Sequence, residues 1–135
     1  MAEPILYIDT SDIQVGHLAT VRELMADLVD FVEANEPQLI AYNFYVEESD
    51  NTMTCVVVHP DSASIETHLD IGWERFRAFA DHIHQRSIDV YGEVSERVIA
   101  RLRRKIDMLG RGTVTIYALH AGFSRIRTSV SASDT

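Results

Sequence analysis

The sequence predicts a single α+β domain whose elements run β-α-β-β-α-β-α-β. Three observations carry that expectation. Apolar residues recur at spacings of three and four from Leu18 to Val32, and the pattern stops short of Pro37. Two alternating runs follow, joined by a short polar turn, which is the signature of an antiparallel hairpin. The remaining chain, of 135 residues in all, holds two more helix-and-strand pairs and no linker, repeat or low-complexity stretch.

Pro4 to Asp9 reads as the first strand, because Ile5, Leu6, Tyr7 and Ile8 are apolar and β-favouring. Gly16 and His17 open the first helix, which buries Leu18, Val21, Leu24, Met25, Leu28, Val29 and Val32 and ends by Glu36. Gln38 to Glu48 is the second strand, with Leu39, Ala41, Asn43 and Tyr45 on one face and Ile40, Tyr42, Phe44 and Val46 on the other. Ser49-Asp50-Asn51 is the turn, and Thr52 to His59 the third strand. The second helix starts after Pro60-Asp61-Ser62 and is expected to break at Gly72 into pieces 62–70 and 73–84. Ser87 to Glu93 reads as the fourth strand. Ser95 to Leu109 reads as the third helix, closed by Gly110 and Gly112, and Thr113 to Ala121 as a fifth strand extending as far as Ile126. The domain is expected to span residues 1–127, and the Ser-rich tail 128–135 to fray. The first six elements follow the split βαβ, ferredoxin-like plan, with an added αβ unit.

Both faces of the hairpin carry apolar side chains. Helices can cover only one of them, so a second copy of the chain is expected on the other. The formal charge of −9 disfavours nucleic acid as a partner. No apolar run approaches the length of a membrane span, and Met1-Ala2-Glu3-Pro4 is acidic where a signal peptide is basic, so a cytoplasmic location is expected. Cys55, the single cysteine, lies in an apolar strand and reads as a small core residue. His17, His59, His82, His84 and His120 make no metal signature. His82 and His84 are placed on a helix, where i, i+2 spacing points the rings apart, and no metal is expected. Six of the twelve basic residues fall between Arg97 and Arg111. They read as a solvated helix face, a docking face, or partners of the acidic first helix.

The stretch Glu36-Pro37-Gln38-Leu39-Ile40-Ala41-Tyr42, followed by Tyr45, Ser49-Asp50 and then His59-Pro60-Asp61-Ser62-Ala63-Ser64-Ile65-Glu66-Thr67-His68-Leu69, resembles the antibiotic biosynthesis monooxygenase-like family. The resemblance covers roughly residues 4–84. It implies a dimeric α+β barrel with a pocket between sheet and helices. Members include cofactor-independent monooxygenases acting on aromatic substrates, haem-degrading enzymes, and domains of unassigned role. Asp70-Ile71-Gly72-Trp73-Glu74-Arg75-Phe76 departs from the pattern by an apparent two-residue insertion, and Asn43, Trp73, His82 and His84 do not take the relative positions of the haem-degrading members.

Within that resemblance the expected function is oxygenation of a small phenolic or quinone-like ligand with no cofactor. The alternatives are a non-catalytic ligand-binding or dimerisation domain of the same fold and, third, a haem-degrading monooxygenase. His68 is the candidate base, since an imidazole suits proton abstraction from a phenol; the competing reading is a surface or dimer-contact histidine. Trp73 and Phe76 are candidate pocket walls, set against plain core packing. Asn43, Tyr45 and Tyr7, the last alternating with Asp9, are candidate ligand contacts, set against a neighbouring strand or water.

Overall fold

The structure is a computed structural model and describes residues 3–126; the tail 128–135 lies outside the described residues. The elements are β1 (Ile5–Ile13), α1 (Leu18–Asn35), β2 (Ala41–Glu47), β3 (Thr52–His59), α2 (Ser62–Arg77), β4 (Ile83–Tyr91), α3 (Glu96–Leu109) and β5 (Gly110–Tyr117). They form one five-stranded sheet in the order β2-β3-β1-β4-β5. β1 to β4 are antiparallel, the ferredoxin-like arrangement, and β5 adds parallel to β4 through α3.

Local chemistry sets the element ends. α1 stops at Asn35 because Pro37 disfavours helical backbone at Glu36, which turns to φ −129° and ψ 69°. Asp61 caps α2 by accepting from the Ser64 amide at 2.8 Å, and Ser95 caps α3 by accepting from Val98 at 3.1 Å. In the hairpin turn Asn51 takes φ 56°, and its side-chain amide donates to the Ile13 carbonyl at 2.6 Å.

Three boundaries differ from expectation. α2 runs unbroken through Gly72, because the Phe76 ring folds back onto the space that glycine leaves; a Cβ there would lie 2.5 Å from the ring. The helix then ends at Arg77, and β4 begins at Ile83. His84 is therefore on a strand and His82 in the preceding turn, not on a helix. Gly110 and Gly112 lie inside β5. A Cβ on Gly112 would stand 1.9 Å from the Arg86 carbonyl, and one on Gly110 would stand 2.3 Å from that of Gln85. The glycines are there because two backbones touch.

Strand alternation divides the sheet. Ile5, Tyr7, Asp9, Ser11 and Ile13 of β1, with Met53, Cys55, Val57 and His59 of β3, lie buried under the helices. The core is completed by Val21, Met25, Leu28 and Val32 of α1, Ile65, Leu69 and Phe76 of α2, and Val98, Leu102, Ile106 and Leu109 of α3. On the opposite face Leu6, Ile8, Val56 and Val58 stand side by side, half-buried and free of helices. Of the basic residues in α3, Arg97 pairs with Glu66 at 3.5 Å and Arg101 with Asp70. Both partners belong to α2, and not to the acidic α1 that the sequence offered. No helix among the described residues is long and apolar enough to cross a membrane.

Candidate functional site

Beneath the helices the core is not uniformly apolar. β1 brings Tyr7 and Asp9 to the same face, and α3 brings Lys105 down onto them. The Lys105 ammonium donates to the Tyr7 hydroxyl at 2.8 Å and lies 3.5 Å from the Asp9 carboxylate. Tyr7 in turn donates to Asp9 at 2.7 Å. Lys105 and Asp9 are each 5% exposed. The ammonium also sits over the rings of Phe76 and Tyr7, 4.4 and 5.0 Å from their centroids. Burial, and then the Asp9 charge, push the Tyr7 hydroxyl well above its ordinary range, so it stays a donor.

A second polar pair lies nearby. Glu36, turned inward at the end of α1, accepts from the Nδ1 of His68 through both carboxylate oxygens, at 3.0 and 2.8 Å. Burial lowers the His68 imidazole below its usual value, against the opposing pull of Glu36. The ring is neutral at pH 7, with its proton on Nδ1 and Nε2 as an acceptor. His59 shares a 2.7 Å hydrogen bond with Ser64 and meets His68 edge to face at 5.6 Å. Burial, His68 and Lys105 together hold His59 down at about 2.

A cavity of about 30 Å³ opens beside the first cluster. Asp9, Lys105, Gln85 and Cys55 give it polar lining, and Leu28, Tyr42, Phe44, Met53, Phe76, Phe79, Ile83 and Leu109 give it a mostly apolar wall. This space admits one or two waters. Phe44, on the edge strand β2, stacks on Phe79 with centroids 6.3 Å apart, and these rings close one side.

The residues singled out in the sequence divide. Phe76 lines the cavity. Tyr7 reaches it through its bonds to Asp9 and Lys105. His68 stands one layer back: it packs on Tyr42 and Phe76 at 5.3 and 5.0 Å and does not line the space. Trp73 is half-buried against the core and likewise does not line it. Asn43 and Tyr45 point the other way. Their register partners Val56 and Thr54 belong to the helix-free face, and Tyr45 is 57% exposed. Tyr42 and Phe44, the alternate residues of the same strand, face the cavity. The residues missed were Asp9 as a charge, Glu36, Gln85 and above all Lys105. The signal for Lys105 is its place within the apolar stripe Val98, Leu102, Ile106 and Leu109, which the surrounding run of basic residues masks.

The arrangement does not fit haem. His17 and His82 pair with each other at 2.9 Å, His84 is exposed, and His68 does not line the cavity, so no histidine is presented to a haem there. Among the described residues no group of three or more His, Cys, Asp or Glu side chains is placed to hold a metal ion.

No protein-family model matches the chain, and no curated protein matches it. Solved structures do. MupZ from Pseudomonas fluorescens superposes with a TM-score of 0.71 at 18% identity, over 96% of this chain and 99% of that one. An antibiotic biosynthesis monooxygenase superposes with a TM-score of 0.58 at 20% identity, over 67% of this chain and 99% of that one. Protein SO0527 from Shewanella oneidensis gives 0.56 at 18%, over 67% and 88%. The chain therefore has the fold of these proteins, as its sequence resemblance implied. The extent of the MupZ match takes in the α3–β5 addition.

Proposed function

We propose that the chain is a cofactor-independent enzyme that acts by proton transfer on a small aromatic ligand carrying a phenolic or quinone-like oxygen. The observation that carries the proposal is the Asp9–Tyr7–Lys105 cluster on the wall of a largely apolar cavity. Burying a cation and a carboxylate is costly, and a well-packed apolar trio in their place is often more stable. Their position suits a developing phenolate, which an ammonium and a phenolic donor stabilise strongly in a low-dielectric site. Asp9 is the carboxylate at hand to take the proton.

One fold neighbour is an antibiotic biosynthesis monooxygenase, and the reaction it suggests for this chain is monooxygenation. The phenolate, held by Lys105 and Tyr7, gives electrons to dioxygen and forms a carbon–peroxide bond. Loss of water leaves a quinone: one oxygen atom enters the ring, and the other leaves as water with two substrate hydrogens. The ring is larger than the resting cavity of about 30 Å³, so the scheme requires Phe44 and Phe79 to part and let it in against Phe76 and Tyr42. His68 is a positioning residue in this scheme, fixing Tyr42 and Phe76 through ring contacts. Trp73 supports the α2 wall. Asn43 and Tyr45 belong to the face proposed to meet a second subunit.

The test is oxygen uptake with naphthols and anthrols under ¹⁸O₂. One labelled atom in the quinone is expected, with Asp9→Asn and Lys105→Met lowering kcat at least about a hundredfold. His68→Gln should raise KM more than it lowers kcat. Ligand binding without oxygen uptake by any of these substrates would sink the oxygenase and leave a binding protein.

A second reading, a domain that only binds a small ligand and its own second copy, draws on the small cavity and on the bare apolar sheet face. We propose the homodimer under either reading, with Leu6, Ile8, Val56 and Val58 at its centre.

A further inference from the structure

The cavity holds a polar feature that the scheme above does not use. β4 carries a bulge: Gln85 pairs with Ser11, Ser87 pairs with Thr10, and Arg86 is the extra residue between them. The bulge lets Gln85 and Ile88, three positions apart, both point under the helices; a regular strand would turn one of them out. Gly110 and Gly112 of β5 press against this same segment and hold it. The result is a glutamine 2% exposed that contributes to the cavity wall and whose fully buried amide oxygen has no hydrogen-bond partner. Ser11, directly across in the register, is fully buried, and its hydroxyl is unpartnered too. Buried acceptors without partners are rare and costly. The bulge thus sets a residue with an unpartnered acceptor at the wall of a cavity, where a ligand donor could satisfy it.

We infer that Gln85, supported by Ser11, is the specificity-determining residue of this pocket and accepts a hydrogen bond from a donor group on the ligand. The inference rests on the pocket reading proposed above and deepens it. Lys105, Tyr7 and Asp9 take one ionisable oxygen. Gln85 Oε1 is an acceptor only and therefore takes an O–H or N–H from elsewhere on the same ring system. The substrate class is then a dihydroxylated or aminohydroxylated arene, and not a simple phenol. A ligand with the second donor gains a hydrogen bond to the Gln85 oxygen, and a ligand lacking it does not.

The test uses calorimetric titration of the whole chain with naphthol, the positional isomers of dihydroxynaphthalene and their monomethyl ethers, on wild type and on Gln85→Met. At least one diol is expected to bind about tenfold more tightly than naphthol, with its monomethyl ether losing that gain. In Gln85→Met the ratio of diol to naphthol affinity should fall below about threefold. The melting temperature of ligand-free Gln85→Met should equal or exceed that of wild type, because an unsatisfied acceptor has been removed. Gln85→Leu, of different shape, carries the same expectations should the Met variant fold poorly. If no diol outbinds naphthol, or wild type and variant discriminate alike, the acceptor serves only a structural water and the inference fails while the pocket reading stands. A lowered melting temperature in both variants would likewise assign Gln85 a structural role. If naphthol and every diol fail to bind at all, the pocket reading falls and takes this inference with it.

Discussion

Lys105 and Tyr7 lie 98 positions apart in the chain, yet the ammonium of one donates to the hydroxyl of the other at 2.8 Å in the centre of the core. Tyr7 passes its own proton toward Asp9, so three residues from the first strand and the last helix form one hydrogen-bonded unit. Removing the cation strands a buried carboxylate. Lys105→Met should lower stability at neutral pH by about 3 kcal/mol, read by urea unfolding. Lys105→Met combined with Asp9→Leu should recover a large part of that loss, because no lone charge remains buried. Equal stability of the single and double variants would show that the two charges are not coupled.

Acid should loosen the fold through its histidines. His59 is held down at about 2 by burial, His68 and Lys105, and His68 is lowered mainly by burial. In the unfolded chain both titrate near their ordinary 6.5. Above that pH neither state binds the proton, and stability is intact. Below it the unfolded chain takes up protons that the folded chain refuses, so stability falls as pH drops from 6.5 toward the folded value. Between pH 6.5 and 5 His59 alone should remove about 2 kcal/mol. His59→Asn should flatten that part of the profile, and an unchanged slope would assign the decline to other groups.

Cys55 is buried between β1 and β2, beside the Tyr42 hydroxyl, and burial together with the Asp9 charge pushes its thiol well above the usual range. Native protein at pH 8 should react with a disulfide reagent more than about a hundredfold more slowly than urea-unfolded protein. Fast labelling of the native state would mean that the pocket opens readily.

The close approach of β5 to the β4 bulge leaves no space for a methyl group. Gly112→Ala would set a carbon 1.9 Å from the Arg86 carbonyl, so one of the two strands must shift. A loss of about 2–3 kcal/mol is expected in chemical denaturation. Wild-type stability would show that the edge strand moves aside freely.

Val56 lies at the middle of the helix-free face, between Ile8 and Asn43. Wild type should sediment as a dimer at micromolar concentration, and Val56→Asp, which places a charge at the centre of the contact, as a folded monomer. A wild-type monomer would remove the explanation for an apolar face without helices.

Read by itself, the sequence determined the order of the elements, the hairpin, the apolar stripes of the first and third helices and the surplus of apolar surface on the second sheet face. These are local matters: periodicities of 3.6 and 2, proline and the capping residues act within a few positions of where they are read. It also determined that Tyr42 and Phe44 oppose Asn43 and Tyr45. Which pair faced the helices was decided only by tertiary structure, because both faces of the strand are apolar enough to be buried and the choice depends on β3 and β1 alongside. The same holds for Lys105. In the sequence it is one of six basic residues; in the fold it alone of them falls on the stripe that α3 turns inward, and Tyr7, Asp9 and Phe76 wait there. The bulge at Arg86 was likewise invisible, since it comes from a mismatch of register among three strands. The site is therefore non-local: its charges are brought together from β1, α3 and the end of α1, and no short-range pattern records that meeting.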